Sequence, residues 1–177
     1  MMLGAFLLSG VAANAGQNCA QMGATELVRS MLYCVSSTLP SQSGNGYGPE
    51  NLFDPSNRTA WCEGVRGNGE GQEIYIRIDG GIPFRRLLIY NGYAKSADTY
   101  QNNGRARTIK VLTDRGDQIL TVLPDTSSEV VVKLPGPIEY RELKIQIVDV
   151  YPGARYQDTC INIVSPDFEY ERSLEFQ

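Results

Sequence analysis

The 177-residue sequence contains no histidine. This absence excludes Ser-His-Asp and Cys-His catalysis and removes the ligand that most zinc hydrolases use. An enzyme made from this chain would have to rely on paired carboxylates, a lysine or a tyrosine. The sequence also lacks an excess of basic residues, because 16 Lys and Arg stand against 20 Asp and Glu, giving a net charge of −4. Nucleic acid is therefore not expected as the main partner.

Long apolar runs are missing too, since nothing approaches the roughly 18 apolar residues that span a bilayer. We therefore predict no transmembrane segment in the mature chain. One shorter run, Leu3–Val11, is followed by Ala13-Asn14-Ala15. This order is typical of a secretory signal peptide, although no positive charge precedes it. The pattern predicts a signal peptide at residues 1–15 and a single secreted or periplasmic domain at 16–177, with a buried N-terminal helix as the alternative.

Cysteine is scarce but present in an even number. An even count in an exported chain predicts two disulfides, and the wide spacing does not fit a CxxC zinc site. We favour the pairs Cys19–Cys34 and Cys62–Cys160. The main alternative is Cys34–Cys160, which would tie the first strand to the last.

Short runs with the alternation of β-strands fill most of the remaining sequence. In Glu73–Asp79, for example, Ile74, Ile76 and Ile78 share one face. Such runs are separated by Gly, Pro, Asn and Asp, which indicates an all-β antiparallel sandwich. Only Gly23–Leu32 has helical character, and it predicts one short N-terminal helix.

A glycine-rich segment precedes one of these strands. Its glycines are Gly64, Gly67, Gly69 and Gly71. A phosphate-binding loop needs a helix N-terminus behind it, because the helix dipole favours the anion. Here a strand follows, and no Gly-Lys-Ser/Thr is present. We interpret the segment as a tight surface loop that enters a strand.

Three segments resemble one family of bacterial exported domains. They begin with YGPENLFDPSNRTAW at residue 47, NGYAKSADTYQ at 91 and YPGARYQDT at 151. Over about residues 33–164 the chain is similar to the discoidin-like NADase-type glycan-binding (translocation) domain of the galactose-binding-like superfamily. The resemblance implies a jelly-roll sandwich of about eight strands, with a binding face carried by loops. It implies no NADase activity, because the catalytic unit of the namesake is a separate domain.

The segment NLFDPSNRTAW is similar to the part of this superfamily that wraps a structural calcium ion. The resemblance implies Asp54 as the main ligand, with Asn57 and Thr59 adding oxygens, which calcium prefers. The superfamily often adds a glutamate from the last strand, but Ile163 stands at that position here. We weigh a structural calcium against the alternative that Asp54 caps a turn through its own backbone. No other cofactor is expected.

Candidate ligand-binding residues lie on polar segments between the strands. Sugar recognition needs planar polar groups for the hydroxyls and an aromatic face for the ring. NGYAKS and SADTYQNNGRAR supply such groups in one region, and YPGARYQDT supplies them in a second. The candidates are Asn91, Tyr93, Lys95, Tyr100, Asn103, Arg105, Tyr151, Tyr156 and Asp158. Ordinary surface tyrosines, and an Asp158 that caps a turn, are the alternative.

Two further candidates, Trp61 and Glu63, follow the first motif. Trp61 is the only tryptophan, and a core position is favoured over a platform on which a sugar would stack. Glu63 is a candidate ligand contact. It is also placed to form a charge-assisted pair with Arg105, which would lock two loops together.

These observations favour an exported, non-catalytic module that binds a glycan or glycoconjugate. A second hypothesis is a protein-interaction or structural sandwich without a sugar site, whose partner would be another protein. A third is a glycan-active enzyme, for which Glu63, Glu70, Glu73 and Asp158 are available. Glycoside hydrolysis needs two carboxyl groups about 5–9.5 Å apart across a cleft, and a small jelly roll usually lacks a deep cleft. We predict no catalytic residue.

Overall fold

The computed structural model describes residues 18–175, so the signal peptide predicted at 1–15 lies outside the described residues. The strands are β1 (Asn18–Met22), β2 (Ser30–Val35), β3 (Trp61–Cys62), β4 (Glu73–Asp79), β5 (Phe84–Asn91), β6 (Gly104–Thr113), β7 (Gln118–Val122), β8 (Val130–Ile138), β9 (Glu142–Tyr151) and β10 (Thr159–Pro166). The helices are a 3-10 helix (Pro49–Phe53), α1 (Ala97–Asn102) and α2 (Phe168–Leu174). Within residues 18–175, no helix is long and apolar enough to cross a membrane.

Hydrogen bonds connect the strands into one path that folds into two layers. The first layer has the order β1-β2-β4-β9-β6, with β7 also paired to β6. The second has the order β10-β5-β8, with β3 also paired to β10. The layers join where β6 and β10 begin, because Thr159 lies opposite Gly104 in a short parallel pairing. The all-β sandwich is confirmed, with β1 and β3 in addition to the strands that the sequence predicted.

The core lies between the layers, where alternate residues of each strand point inward. Ile74, Ile76 and Ile78 of β4 are all buried, as the period of two requires. Burying one such side chain contributes about 1.5–3 kcal/mol. Tyr33 of β2 crosses this core, and its hydroxyl donates to the carbonyl oxygen of Val164 in β10, 3.0 Å away. The buried hydroxyl is therefore satisfied without water.

The predicted N-terminal helix at Gly23–Leu32 is wrong. Its last residues belong to β2, and the residues before them form bends and loop. Met31, Tyr33 and Val35 alternate into the core, and Met31 lies opposite Ile78 in β4. Pairing with β4 and burial of this face override the local helix propensity.

Helix α2 was not predicted. It follows β10 and covers the end of the sandwich at which β10 ends. Phe168 packs edge-on against Phe84, with ring centroids 5.2 Å apart. Arg85 donates two hydrogen bonds to the Glu171 carboxylate, at 2.7 and 3.0 Å. The acidic C-terminal segment is therefore anchored by an aromatic contact and a bidentate ion pair.

Both favoured disulfides are confirmed. Cys19 bonds to Cys34 across the β1–β2 pair, and Cys62 bonds to Cys160 across the β3–β10 pair. The second bridge spans 98 positions of sequence. A loop of that length loses about 4.7 kcal/mol of chain entropy in the unfolded state, in the chain-entropy model.

The glycine-rich segment is a surface loop leading into β4, as the sequence indicated. Gly69 has a φ of +83°, and a Cβ added there would lie 2.6 Å from the Cγ of Glu63. Glycine is thus required at this position both by backbone conformation and by space. The loop packs on a buried glutamate and leads into a strand, so it has none of the helix geometry of a phosphate cradle.

Candidate functional site

A pocket of about 430 Å³ lies between the loops at the end of the sandwich where β6 and β10 begin. Its walls come from the segment before the 3-10 helix, from the β5–α1 connection with α1, and from the loop before β10. The lining residues are Leu39, Gln42, Ser43, Asn45, Tyr47, Arg58, Tyr93, Lys95, Ser96, Thr99, Asn103, Tyr156 and Asp158. Five of these were sequence candidates, and the structure brings them together from two separate motifs.

Three tyrosines form the aromatic part of the pocket. Tyr47 and Tyr93 meet edge-to-face, with ring centroids 6.1 Å apart. Tyr93 is largely covered, whereas Tyr156 is 43% exposed. Burial raises the pKa of both Tyr47 and Tyr93, so their hydroxyls stay protonated at neutral pH. The pocket therefore presents one accessible ring, Tyr156, beside two fixed ones.

Asn45 organises the polar groups on one side of the pocket. Its Oδ1 accepts a hydrogen bond from the Lys95 Nζ at 2.8 Å and another from the Tyr93 hydroxyl at 3.5 Å. Arg58 brings a second cation to the lining. Lys95 and Arg58 together provide more N–H donors than Asn45 can accept, so this side can donate to a ligand oxygen.

The far wall is set by the end of α1. Ser96 and Thr99 form a capping box at the start of this helix, and Asn103 closes its other end by donating to the Thr99 carbonyl at 2.8 Å. Because both ends are capped, the six-residue helix is stabilised despite its length.

Asp158 is the one acidic residue in the lining. Its carboxylate takes part in no ion pair within residues 18–175. Partial burial raises its pKa, because desolvation disfavours the charged form. Its own backbone N–H opposes that rise by donating to the carboxylate, and no cation of the described residues is paired with it, so part of its acceptor capacity is open to a ligand.

Arg105 is not among the residues that line this pocket. It donates to both oxygens of Asp125, at 3.0 and 2.7 Å, and to the carbonyl of Asn103 at 3.0 Å. Its guanidinium carbon lies 5.1 Å from the ring centroid of Tyr100, whose hydroxyl donates to Asp125 at 3.0 Å. We call Tyr100, Arg105 and Asp125 the Arg105 cluster. Tyr151 flanks it, donating to the Leu123 carbonyl at 2.9 Å.

Gly92 makes room for the Arg105 cluster. Its φ is +79°, and a Cβ there would lie 2.6 Å from both the Arg105 Cγ and the Tyr100 Cε2. The turn at the end of β5 therefore requires glycine both for its backbone conformation and for the close approach of two side chains.

The predicted pair between Glu63 and Arg105 is wrong. Glu63 is fully buried, and its carboxylate accepts the backbone N–H groups of Val65 and Thr159 at 2.8 and 3.0 Å. Burial raises its pKa, and the two hydrogen bonds oppose that rise. The glutamate thus ties the glycine-rich loop to β10, and Asp125 takes its expected place beside Arg105.

Trp61 and Asn91 are also fully covered by protein. The Trp61 indole donates to the Ser37 carbonyl at 2.9 Å. The Asn91 amide donates to the Ala106 carbonyl and accepts the Ala106 N–H, at 2.6 and 3.1 Å. Asn91 thereby connects the end of β5 to β6, and neither side chain reaches the pocket surface.

Two of the three residues expected around calcium, Asp54 and Thr59, bond to each other. Asp54 accepts the Ser56 N–H and the Thr59 hydroxyl, both at 3.0 Å, and Asn57 is exposed. Within residues 18–175, no cluster of three or more Asp, Glu, Cys or His side chains could hold a metal ion. The Asp54 carboxylate therefore caps its own turn in this structure.

Sequence reasoning missed Asn45, Tyr47 and Arg58 in the pocket and Asp125 in the Arg105 cluster. Asn45 and Tyr47 belong to the polar, glycine-rich stretch QSGNGYG, whose composition marks a surface loop. Arg58 stands in the segment NLFDPSNRTAW, whose resemblance implied calcium ligands and no pocket residue. Asp125 follows β7 in a short PDTSS turn, and nothing local in the sequence links it to Arg105.

The family model for the NAD glycohydrolase translocation F5/8 type C domain matches residues 27–166. No curated protein matches the chain.

Solved structures share the fold at low sequence identity. Arabinofuranosyltransferase AftD from Mycobacteria is 20% identical over 84% of this chain, with a TM-score of 0.59, and this chain spans only 11% of its length. The family 32 carbohydrate-binding module of C. perfringens NanJ, solved with galactose, is 15% identical over 76% of this chain and 90% of its own, with a TM-score of 0.54. The corresponding module of Streptococcus pneumoniae EndoD is 12% identical, covering 75% and 92%, with a TM-score of 0.53.

Proposed function

The chain belongs to the NAD glycohydrolase translocation F5/8 type C domain family, and from this premise we propose that it is an exported, non-catalytic module that binds a glycan. Two disulfides within residues 18–175 support export, because such bonds persist in oxidising compartments. The fold shared with carbohydrate-binding modules, one of them solved with galactose, supports the class of ligand.

The pocket at the loop end carries this proposal. It combines a partly exposed aromatic ring, Tyr156, with a carboxylate that forms no ion pair within the described residues, Asp158, and with donors on Lys95 and Arg58. The Arg155 guanidinium lies over the Tyr156 ring, 5.2 Å from its centroid, so the opposite face is the one available for stacking. A sugar presents an apolar ring face and a rim of hydroxyls that both donate and accept. We assign Tyr156 to the ring face, Asp158 to a donating hydroxyl and the two cations to accepting oxygens.

The pocket chemistry also supports a binding role over catalysis. Its lining contains one carboxylate, that of Asp158. Both retaining and inverting glycoside hydrolysis need two carboxyl groups facing one bond. Glu63, a sequence candidate for a second acid, is fully buried and bound to two backbone N–H groups, so it is not offered to a ligand.

A protein-interaction role is the second candidate, and one observation favours it. Leu120 and Val122 on β7 are 67% and 63% exposed. β7 pairs with β6 along one side, and exposed apolar residues on such a strand are suited to contact another chain. This surface lies on a different element from the pocket, so the two roles are separable by mutation.

A glycan array probed with the full chain tests the proposal. We expect binding to at least one group of related glycans, and we expect Tyr156→Ala to weaken it by about tenfold or more, since a stacked aromatic face contributes on the order of 1 kcal/mol beyond its area. Tyr90→Ala is the matched control, because Tyr90 is a partly exposed tyrosine outside the pocket. No binding across a broad array, or equal loss in both variants, would reject the sugar site and favour the interaction role.

A further inference from the structure

The loop Asp54–Thr59 is closed by a side chain from the other end of the sequence. Asn162 of β10 is 2% exposed, and its Nδ2 donates to the Ser56 carbonyl at 2.9 Å and to the Thr59 carbonyl. Both amide hydrogens are thereby used. The two carbonyl oxygens also determine the orientation of the Asn162 amide. Its NH₂ group must point toward them, because its Oδ1 would be repelled by both.

A break in strand pairing aims Asn162 at this loop. The register between β10 and β5 shifts between Ile161 and Ile163, so Asn162 is the extra residue of a bulge. Bulges redirect a side chain relative to the regular alternation. The residue that reaches the loop is therefore Asn162, whereas the position at which a glutamate was expected, Ile163, pairs with Tyr90 in β5.

The groups around the Asn162 amide are those that a cation would use. Two backbone carbonyls converge on one point, and the Asp54 carboxylate belongs to the same loop. Calcium is held by such oxygens at about 2.3–2.6 Å. An amide NH₂ offers two partial positive charges to the same carbonyls, and its nitrogen fills the space that the ion would need.

We propose that the Asn162 amide replaces a bound cation, so that the fold of this chain is independent of calcium. The loop also carries Arg58 into the pocket. If the pocket binds a glycan as proposed above, that binding is calcium-independent as well, but the claim about the loop does not depend on it.

Thermal unfolding of the full chain in millimolar calcium and in EDTA tests the proposal. We expect the same Tm for the wild type in both. Asn162→Asp exchanges the two donors for a carboxylate that faces two carbonyls, so we expect its Tm in EDTA to fall by about 5 °C or more and to recover in calcium. Asn57→Asp is the matched control, since it adds the same charge to the exposed side of the loop, and its Tm is expected not to respond to calcium.

A higher wild-type Tm in calcium than in EDTA, or a calcium site on the wild type in titration calorimetry, would overturn the proposal. An Asn162→Asp variant that folds but does not respond to calcium would also overturn it. Should that variant not fold, Asn162→Ala in EDTA gives the answer, because a Tm equal to that of the wild type would show that the amide does not hold the loop. None of these measurements requires a sugar, so a failed glycan array leaves them unaffected.

Discussion

Two aspartates at the same end of the sandwich, Asp125 and Asp158, have opposite surroundings. Asp125 accepts two hydrogen bonds from Arg105 and one from Tyr100, and the bonds from Arg105 are the main reason that its pKa is lowered. Asp158 forms no ion pair within residues 18–175, and desolvation raises its pKa. The Gly104 N–H donates to the Asp158 carbonyl at 2.9 Å, and the next residue, Arg105, pairs with Asp125. The two aspartates therefore contact neighbouring residues of β6.

The difference separates residues that build this end of the molecule from residues that are offered to a ligand. The Arg105 cluster satisfies its own charges and supports the pocket wall through the Asn103 carbonyl. Asp158 has no cation partner among the described residues, and desolvation of its carboxylate is a cost in stability, which is the pattern expected of functional sites. Aromatic and charged residues at loop ends therefore do not identify a binding site until their partners are known.

The largest effect is expected from removing Arg105. Arg105 is 8% exposed, and Arg105→Leu would leave the Asp125 carboxylate and the Asn103 carbonyl without this donor. Because Asp125 is half-exposed, we expect a loss of about 2–3 kcal/mol in the free energy of unfolding, less than for a fully buried pair. Urea unfolding followed by circular dichroism measures it.

Arg107→Leu is the matched control for that loss. Arg107 lies two residues along β6 and pairs with Asp149 at 3.1 Å, but both side chains are about half-exposed. Exposed pairs contribute about 0.2–1 kcal/mol at most. Equal losses in the two variants would contradict the distinction between the Arg105 cluster and an ordinary surface pair.

A smaller loss is expected from Asp125→Asn. A carboxylate with a lowered folded pKa adds stability above its unfolded pKa of about 3.9, and this contribution disappears as the pH falls through the folded value. We expect the variant to be less stable than wild type by about 1–2 kcal/mol at pH 7, after allowing for solvent screening of the half-exposed group. The gap should narrow as the pH falls below about 3.9 and close only below the lowered folded pKa, where the native Asp125 carboxyl is itself protonated. A gap that does not change with pH would mean that charge is not the cause.

The sequence predicted most of the fold because the alternation that identifies a strand involves only residues close together in the sequence. In the runs that form β2 and β4 to β10, apolar and polar residues alternate with a period of two, and the structure has strands at these positions. The error at Gly23–Leu32 arose where a helical composition was overridden by pairing with β4. The disulfides join cysteines that lie opposite one another in paired strands. Their pairing did not follow from the predicted strands, because β1 and β3, which hold Cys19 and Cys62, were not among them.

The site was less predictable because its contacts are distant in sequence and depend on partners. In the sequence, Arg105 and Asp158 are both polar candidates for ligand contact. In the structure Arg105 is paired with Asp125, whereas Asp158 has no such ionic partner in the part of the chain that is described. The contact of Asn162 with the loop Asp54–Thr59 was not predicted, because the regular alternation of a strand gives no sign of the bulge in β10. Tyr93, Lys95, Asn103, Tyr156 and Asp158 line one pocket, whereas Trp61, Glu63 and Asn91 are covered by protein.

The smallest change in stability, and the one of opposite sign, is expected from Asp158→Asn. A raised folded pKa means that the charged form is penalised in the native state. The penalty is absent below the unfolded pKa of about 3.9 and complete above the raised folded value. Removing the charge should therefore stabilise the protein at pH 7 by about 0.5 kcal/mol, with no difference near pH 3.

The same Asp158→Asn substitution should weaken glycan binding by about tenfold, because an amide is a poorer acceptor for a sugar hydroxyl than a carboxylate. Urea unfolding at both pH values and a binding titration at pH 7 measure the two effects on one sample. Asp125→Asn provides the comparison, since it should lose stability while the affinity of the folded fraction stays close to that of the wild type. If Asp158→Asn instead lost stability and kept full affinity, Asp158 would be a structural cap like Asp54, and the pocket would lose its principal acceptor.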